Sequence, residues 1–471
     1  MKLTVSRQKI VEALGMVCKA IAKNNLPVLQ YVHLGFLDNM LFLRATNLDL
    51  TIIKIIRTDH PPELLEPSQS KLLPGPVVLA LLSKSVEDKV TFCWEKENNG
   101  ETMRLQFGSH KSQIKNIPPV EDFPVVPEVK SEVIAVNGLD LSRLLSLALP
   151  FVSNEKTQGV FNGVSLKLSG NKISAVSTDR HRLARINLSR EKGYTEAGGC
   201  YGIPRDSLRT VLSVMGDDHV ELSGDDQFIC FKGSDWQAFV RVIQETYPDT
   251  EGIMPLNYQL KAECDRDSLM RALKLCSHVS AGESSVELRF GEKFSVNNSG
   301  IFGEAFQPFE GRIVEGDNLS EKSLEVIRIN WQYLHDIARQ IPSRYIILET
   351  EGYARPVKIY GKTQPANWEE TYILMPVRRE DVEQASQEVQ NNEESASVPV
   401  PAGQSSNMPE ENPETEPICG ECALFGTPQC ESEVEYEGSQ TCEAFRTNFE
   451  AIPSEDRVAF QEKEEMAEVP S

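Results

Sequence analysis

The sequence has no apolar run near the ~20 residues that a membrane-spanning helix needs. Its opening, MKLTVSRQKI, lacks the apolar core of a secretory signal, which predicts an intracellular chain with no cleaved leader. It also lacks the spacings that usually announce catalysis: no G-x-x-x-x-G-K-[ST], no G-x-S-x-G and no H-E-x-x-H. Histidines number seven in 471 residues and are dispersed. The six cysteines of the first 379 residues (Cys18, Cys93, Cys200, Cys230, Cys264, Cys276) show no paired spacing, as expected of buried thiols in a reducing compartment.

A length of 471 residues is too great for one core and predicts several domains. The formal charge of −22 is unevenly spread. From Glu380 onward there are 23 acidic and three basic residues, a net of −20, leaving 47 acids against 45 bases before it. The body is therefore nearly balanced, and the total does not exclude nucleic acid as a partner.

One plan occurs three times, and such self-similarity decides the architecture. A short strand (KLTV, EVIAV, YQLKAE) precedes a helical stretch starting at Ser6, Asn137 or Asp265, all good N-cap types. An alternating hairpin follows, with turns near Asp38-Asn39, Gly170-Asn171 and Gly291-Glu292. A second helix comes next (from Val77, Pro204 and Asn330), then more strands. The reading is α+β: domains at 1–125, 126–255 and 256–379, joined by Pro-containing connectors.

The segments MKLTV, NLPVLQYVHL, ATNLDL, FNGVSLKL, AVSTDRHRLA, YGIPRDSL, ETYPDTEGIMP and YILMPVRR resemble the bacterial DNA polymerase III beta subunit, the replicative sliding clamp family. TDxHRLA and a terminal MPxR, nearly 200 residues apart, make the resemblance specific. It covers residues 1 to about 379. It implies a homodimer of three-domain subunits joined head to tail around duplex DNA, with helices lining the hole and sheets outside. It implies a processivity factor, not an enzyme, which tethers a replicative polymerase and meets a clamp loader.

A clamp needs cations on its lining helices, which hold phosphates without reading bases. Lys19, Lys23, Lys84, Arg143, Arg205, Arg209, Arg271, Lys274 and Arg339 fall on or beside the six helices; Asp140, Asp206, Asp267 and Asp336 dilute them. His278 and Val279 match the family's dimer contact. The resemblance also implies a peptide pocket for clients between domains 2 and 3. TDRHRL would supply Thr178, Arg180, His181, Arg182 and Leu183, and the YPDTEGIMP connector Pro248 and Ile253. The last helix would supply Asn330 and Tyr333, and the C-terminal strand Met375, Pro376, Val377 and Arg378; Phe161 stands at a wall position. Arg180 departs from the family's usual glycine, Gly252 from its usual basic residue, and Gly159-Val160 from an aromatic pair.

The family usually ends near Arg378; this chain continues. Residues 380–418 read as a disordered acidic linker and 447–471 as an acidic tail. Between them, residues 419–446 carry Cys419, Cys422, Cys430 and Cys442 spaced C-x2-C-x7-C-x11-C. Four thiolates on two short arms suit structural zinc; an iron–sulfur cluster, two disulfides or free thiols are the alternatives. A second functional reading is a clamp-fold adaptor that no longer encircles DNA and senses redox state through this tail. An enzyme built on Asp179 and His181 is the remotest.

Overall fold

A computed structural model describes residues 2–377, apart from 23–25, 38–39, 58–69, 98–99, 130–132, 170, 191–197, 217–218, 255–256, 280–283, 301–302 and 316–325. The linker, the four-cysteine segment and the acidic tail lie outside the described residues, as do Lys23 and Arg378.

Each repeat contributes two helices. The first contributes α1 (Arg7–Val17) and α2 (Gly75–Ser83), the second α3 (Gly138–Ala148) and α4 (Arg205–Val214), the third α5 (Arg266–Ser277) and α6 (Trp331–Gln340). All begin within two residues of the positions the sequence indicates. The expected stripe of Ile10, Ala13, Leu14 and Val17 is the buried face of α1. Asn137 caps α3 by accepting from the Asp140 N–H, and Asp265 caps α5 by accepting from Ser268. Ser6 occupies the N-cap of α1 without a side-chain bond; the Arg7 N–H donates instead to the Asp88 carbonyl at 2.8 Å. The two helices of each repeat touch, and the first packs on the hairpin that follows it. Fully burying a Leu such as Leu141, Leu144 or Leu145 contributes about 1.5–3 kcal/mol, so this face fixes α3 against its sheet.

The sheets do not stop where the repeats do. Strand Leu50–Arg57 pairs antiparallel with Trp236–Arg241, joining repeats one and two in an eight-stranded sheet. Strand Arg182–Ser189 pairs in the same way with Trp368–Leu374, joining repeats two and three in a nine-stranded sheet. In both, the last strand of the first-half hairpin meets the last strand of the next repeat. Two four-stranded sheets remain, ending on His110–Ile117 in repeat one and Gly303–Phe309 in repeat three.

Side chains brace the two junctions with reversed polarity. At the first, Lys54 on a strand lies 2.7 Å from Asp235 and 3.6 Å from Glu12 of α1. At the second, Arg143 of α3 lies 2.7 Å from Glu370 on a strand, its guanidinium 4.6 Å over the Trp368 ring.

Candidate functional site

The turn Thr178–Arg182 closes a hairpin between strands Lys172–Thr178 and Arg182–Ser189. The Thr178 hydroxyl donates to the Arg182 carbonyl at 2.7 Å and accepts from the Arg180 N–H at 3.0 Å. The Asp179 carboxylate accepts from the backbone N–H of His181 and Arg182 and from Arg182 Nε, at 3.1, 2.9 and 3.0 Å. Such an Asx-type turn tolerates left-handed backbone, and Arg180 takes it at φ 74°. Asp179 binds the backbone of His181, not its ring, and its two oxygens together accept three N–H donors. It therefore does not orient or activate an imidazole base.

Arg182 ties the turn to repeat three. Its Nη1 donates to Asp336 of α6 at 2.8 Å, and Nη2 to the Pro150 carbonyl at 3.3 Å. The guanidinium lies 4.5 Å over Tyr333 and 5.2 Å over Phe151. Tyr333 also stacks at 6.0 Å on His181, which is exposed. The Met375 N–H donates to the His181 carbonyl and that of Val377 to the Arg328 carbonyl, both at 2.9 Å. Asn330 caps α6 through the N–H groups of Gln332 and Tyr333. Leu183 is buried opposite Ile373, whereas Met375 is 38 % exposed; Met375–Val377 follow the last strand, which ends at Leu374, rather than belonging to it.

The connector is fixed from two sides. Glu251 pairs with Arg185, whose hydrogen bond lowers the carboxyl pKa. Pro248 and Ile253 beside it are exposed. Tyr247 meets Phe161 edge-on at 6.2 Å; its hydroxyl is buried against the Thr178 backbone, and burial raises its pKa. The structure thus gathers Thr178–Leu183, Asn330, Tyr333 and Met375–Val377, with the Phe161–Tyr247 pair behind them. Phe151 and Tyr247 were not singled out from the sequence, and Asp336 only as an acid diluting the helix cations. Asp336 was legible, being one helical turn after Tyr333 on α6.

The helix cations divide. Lys84, Arg209, Arg271, Lys274 and Arg339 are exposed. Arg143 is engaged by Glu370, and Lys19 donates to the Ser213 carbonyl and hydroxyl at the end of α4. Arg205 reaches Asn154; burial and then repulsion from Arg209 lower its pKa. His278 and Val279 end α5, the helix packed on Gly303–Phe309. Among the described residues, no group of His, Cys, Asp and Glu could hold a metal ion.

A family model described as DNA polymerase III beta subunit, N-terminal domain, matches residues 1–127. One described as its central domain matches residues 141–249, and together they span half of the chain. The beta sliding clamp of Caulobacter vibrioides is 26% identical over 394 residues, covering 80% of this chain and 100% of that protein. That of Staphylococcus epidermidis is 22% identical over 390 residues, covering 80% and 99%. Among solved structures, the Bacillus subtilis sliding clamp superposes with TM-score 0.72 at 20% identity, covering 80% and 99%. The DNA polymerase III subunit beta of Pseudomonas aeruginosa gives 0.71 at 19%, covering 80% and 100%. Both share this fold.

Proposed function

The chain belongs to the DNA polymerase III beta subunit family, and from that premise we propose how its own residues perform the work of a sliding clamp. It confers processivity by encircling duplex DNA as a head-to-tail homodimer and tethering a polymerase, an effective-concentration effect. The observation that carries this is the rule of strand pairing at its two junctions. Applied once more, that rule joins the free edge Gly303–Phe309 of one subunit to the free edge His110–Ile117 of another. Phe306, 59 % exposed, and half-buried Ile114 lie on these edges. Closure of two such contacts buries every sheet edge of this kind.

Lys84, Arg209, Arg271, Lys274 and Arg339 are the cations available to phosphates; Lys19 and Arg143 act instead as braces. Clients dock at the junction of domains 2 and 3, where Tyr333, His181, Met375 and Ile253 offer apolar contact on a rigid frame. The clamp performs no catalytic step. The domain boundaries near residues 125 and 255 mark where one repeat gives way to the next.

Beyond the clamp body, Cys419, Cys422, Cys430 and Cys442 form an all-thiolate donor set suited to structural zinc. These residues would hold the ion, and it would supply the staple that a short polar segment needs to fold.

The test is retention. The protein should size as a dimer and, once loaded, stay on closed circular DNA while leaving linearised DNA. A monomer at micromolar concentration that leaves both at one rate would refute the clamp reading and favour the adaptor.

A further inference from the structure

The junction of repeats two and three has a second turn beside Met375. Leu374, the last residue of its strand, lies between Arg182 on one side and Val357 of strand Val357–Gly361 on the other. The turn before Arg182 and the turn before Val357 therefore close the same end of the sheet, one on each side of Met375. Neighbouring strands lie about 4.8 Å apart, so the two turns flank Met375 at a spacing of roughly 10 Å.

The second turn is as self-bonded as the first. The Thr350 hydroxyl donates to the Gly352 carbonyl at 2.9 Å and accepts from the Gly352 N–H at 3.2 Å. The Arg355 N–H donates to the same Gly352 carbonyl at 3.2 Å. Tyr353 and Arg355 are exposed at its tip.

Each tip thus presents an arginine, Arg180 on one side and Arg355 on the other, and both are exposed. Neither side chain makes an ion pair or a hydrogen bond among the described residues. Nearby arginines are matched: Arg182 by Asp179 and Asp336, Arg185 by Glu251, Arg143 by Glu370 and Arg328 by Glu287. Glu351, in the second turn, forms no ion pair with Arg355 among the described residues.

The first turn does not need its cation. Glycine would hold the backbone of Arg180 without strain, and the corresponding residue of the turn Thr46–Leu50 is the uncharged Leu48, at φ 77°. A charged side chain kept at a strained position directs attention to a ligand outside the turn. Met375 lies between the two cations and Tyr353 beside them, which suits apolar side chains and not a run of phosphates. A guanidinium pairs best with a carboxylate fork.

We propose that Arg180 and Arg355 set the specificity of this site, selecting client peptides that carry a carboxylate beside their apolar anchors. The proposal rests on the reading of this junction as the client site and names the chemistry of the client.

The test uses the full chain and fluorescent peptides. One peptide carries apolar anchors with neutral flanks. Others place a single Glu, or a Gln in its stead, at successive flanking positions. At one or more positions the Glu peptide should bind about fivefold tighter than its Gln counterpart, and high salt should close that gap. Arg180→Gln and Arg355→Gln should each reduce the Glu-over-Gln ratio, the double variant should bring it near one, and Arg180→Lys should keep most of it. No preference at any position, or a preference that survives the double variant, would overturn the proposal. So would a short DNA duplex that displaces the Glu peptide but not the neutral one. The client-site reading is decided separately: the neutral peptide should bind, and Met375→Ala should weaken it. If the neutral peptide does not bind, that reading falls and this proposal with it.

Discussion

Arg182 Nη1 donates to the Asp336 carboxylate across 2.8 Å, joining a hairpin turn of one repeat to a helix of the next. Arg182 also holds Asp179 and covers two aromatic rings, and its side chain is only 11% exposed. Arg182→Ala should therefore cost roughly 2 kcal/mol, as a cation removed from a part-buried network does. Asp336→Asn should cost under about 1 kcal/mol, because Asp336 is nearly half exposed and screened. Urea denaturation separates the two, and apolar-peptide affinity should fall with the first.

Arg180 occupies left-handed backbone that glycine adopts freely. Relief of that strain exceeds the entropy glycine adds to the unfolded chain. Arg180→Gly should then stabilise by about 0.5 kcal/mol. Leu48, at φ 77° in the turn Thr46–Leu50 of repeat one, has the same left-handed backbone, and Leu48→Gly should behave alike in the same urea series.

His33 is buried, stacked 5.5 Å from Phe123, with Nδ1 unpartnered. Burial, and then the charge of Arg44, lower its pKa to about 4. The unfolded chain takes up that proton first, so stability is intact above the ordinary histidine pKa of 6.5 and falls between there and about 4. The loss amounts to roughly 3 kcal/mol. His33→Gln should flatten this part of the pH profile, measured by denaturant midpoints at pH 7, 6 and 5.

Phe306 lies exposed on a free edge, where a charge disrupts association but not folding. Phe306→Asp should shift sizing from dimer to monomer and shorten retention on circular DNA to that on linear DNA. An unchanged melting profile at low concentration checks that the subunit itself is intact.

Purified full-length protein should carry about one zinc per chain, with no visible absorption of the iron–sulfur kind. Cys430→Ser should lower the zinc content, and a thiol reagent should release the metal.

Much of this fold was legible because its parts are local. The stripe Ile10–Val17 and the caps Asn137 and Asp265 are set by residues within one turn of each other. The self-bonded turn at Asp179 also needs only its own five residues, so its position was clear. Its tie to the next repeat was not, because Asp336, which takes up Arg182, lies 154 residues on. The same blindness affected Arg143. On its helix it reads as a DNA-facing cation, and only the pairing of Arg182–Ser189 with Trp368–Leu374 brings Glu370 to it. Sheets that run through repeat boundaries are set by contacts far apart in the chain, which no local period records.

Those continuous sheets also determine where such a ring can come apart. Within a subunit each junction has three bonds of different kinds: a backbone ladder, an ionic brace and the polypeptide itself. In the proposed ring the ladder between subunits would have no polypeptide beside it. Such a ring would open at a subunit boundary, by peeling one edge strand from its neighbour, rather than at a junction within a subunit.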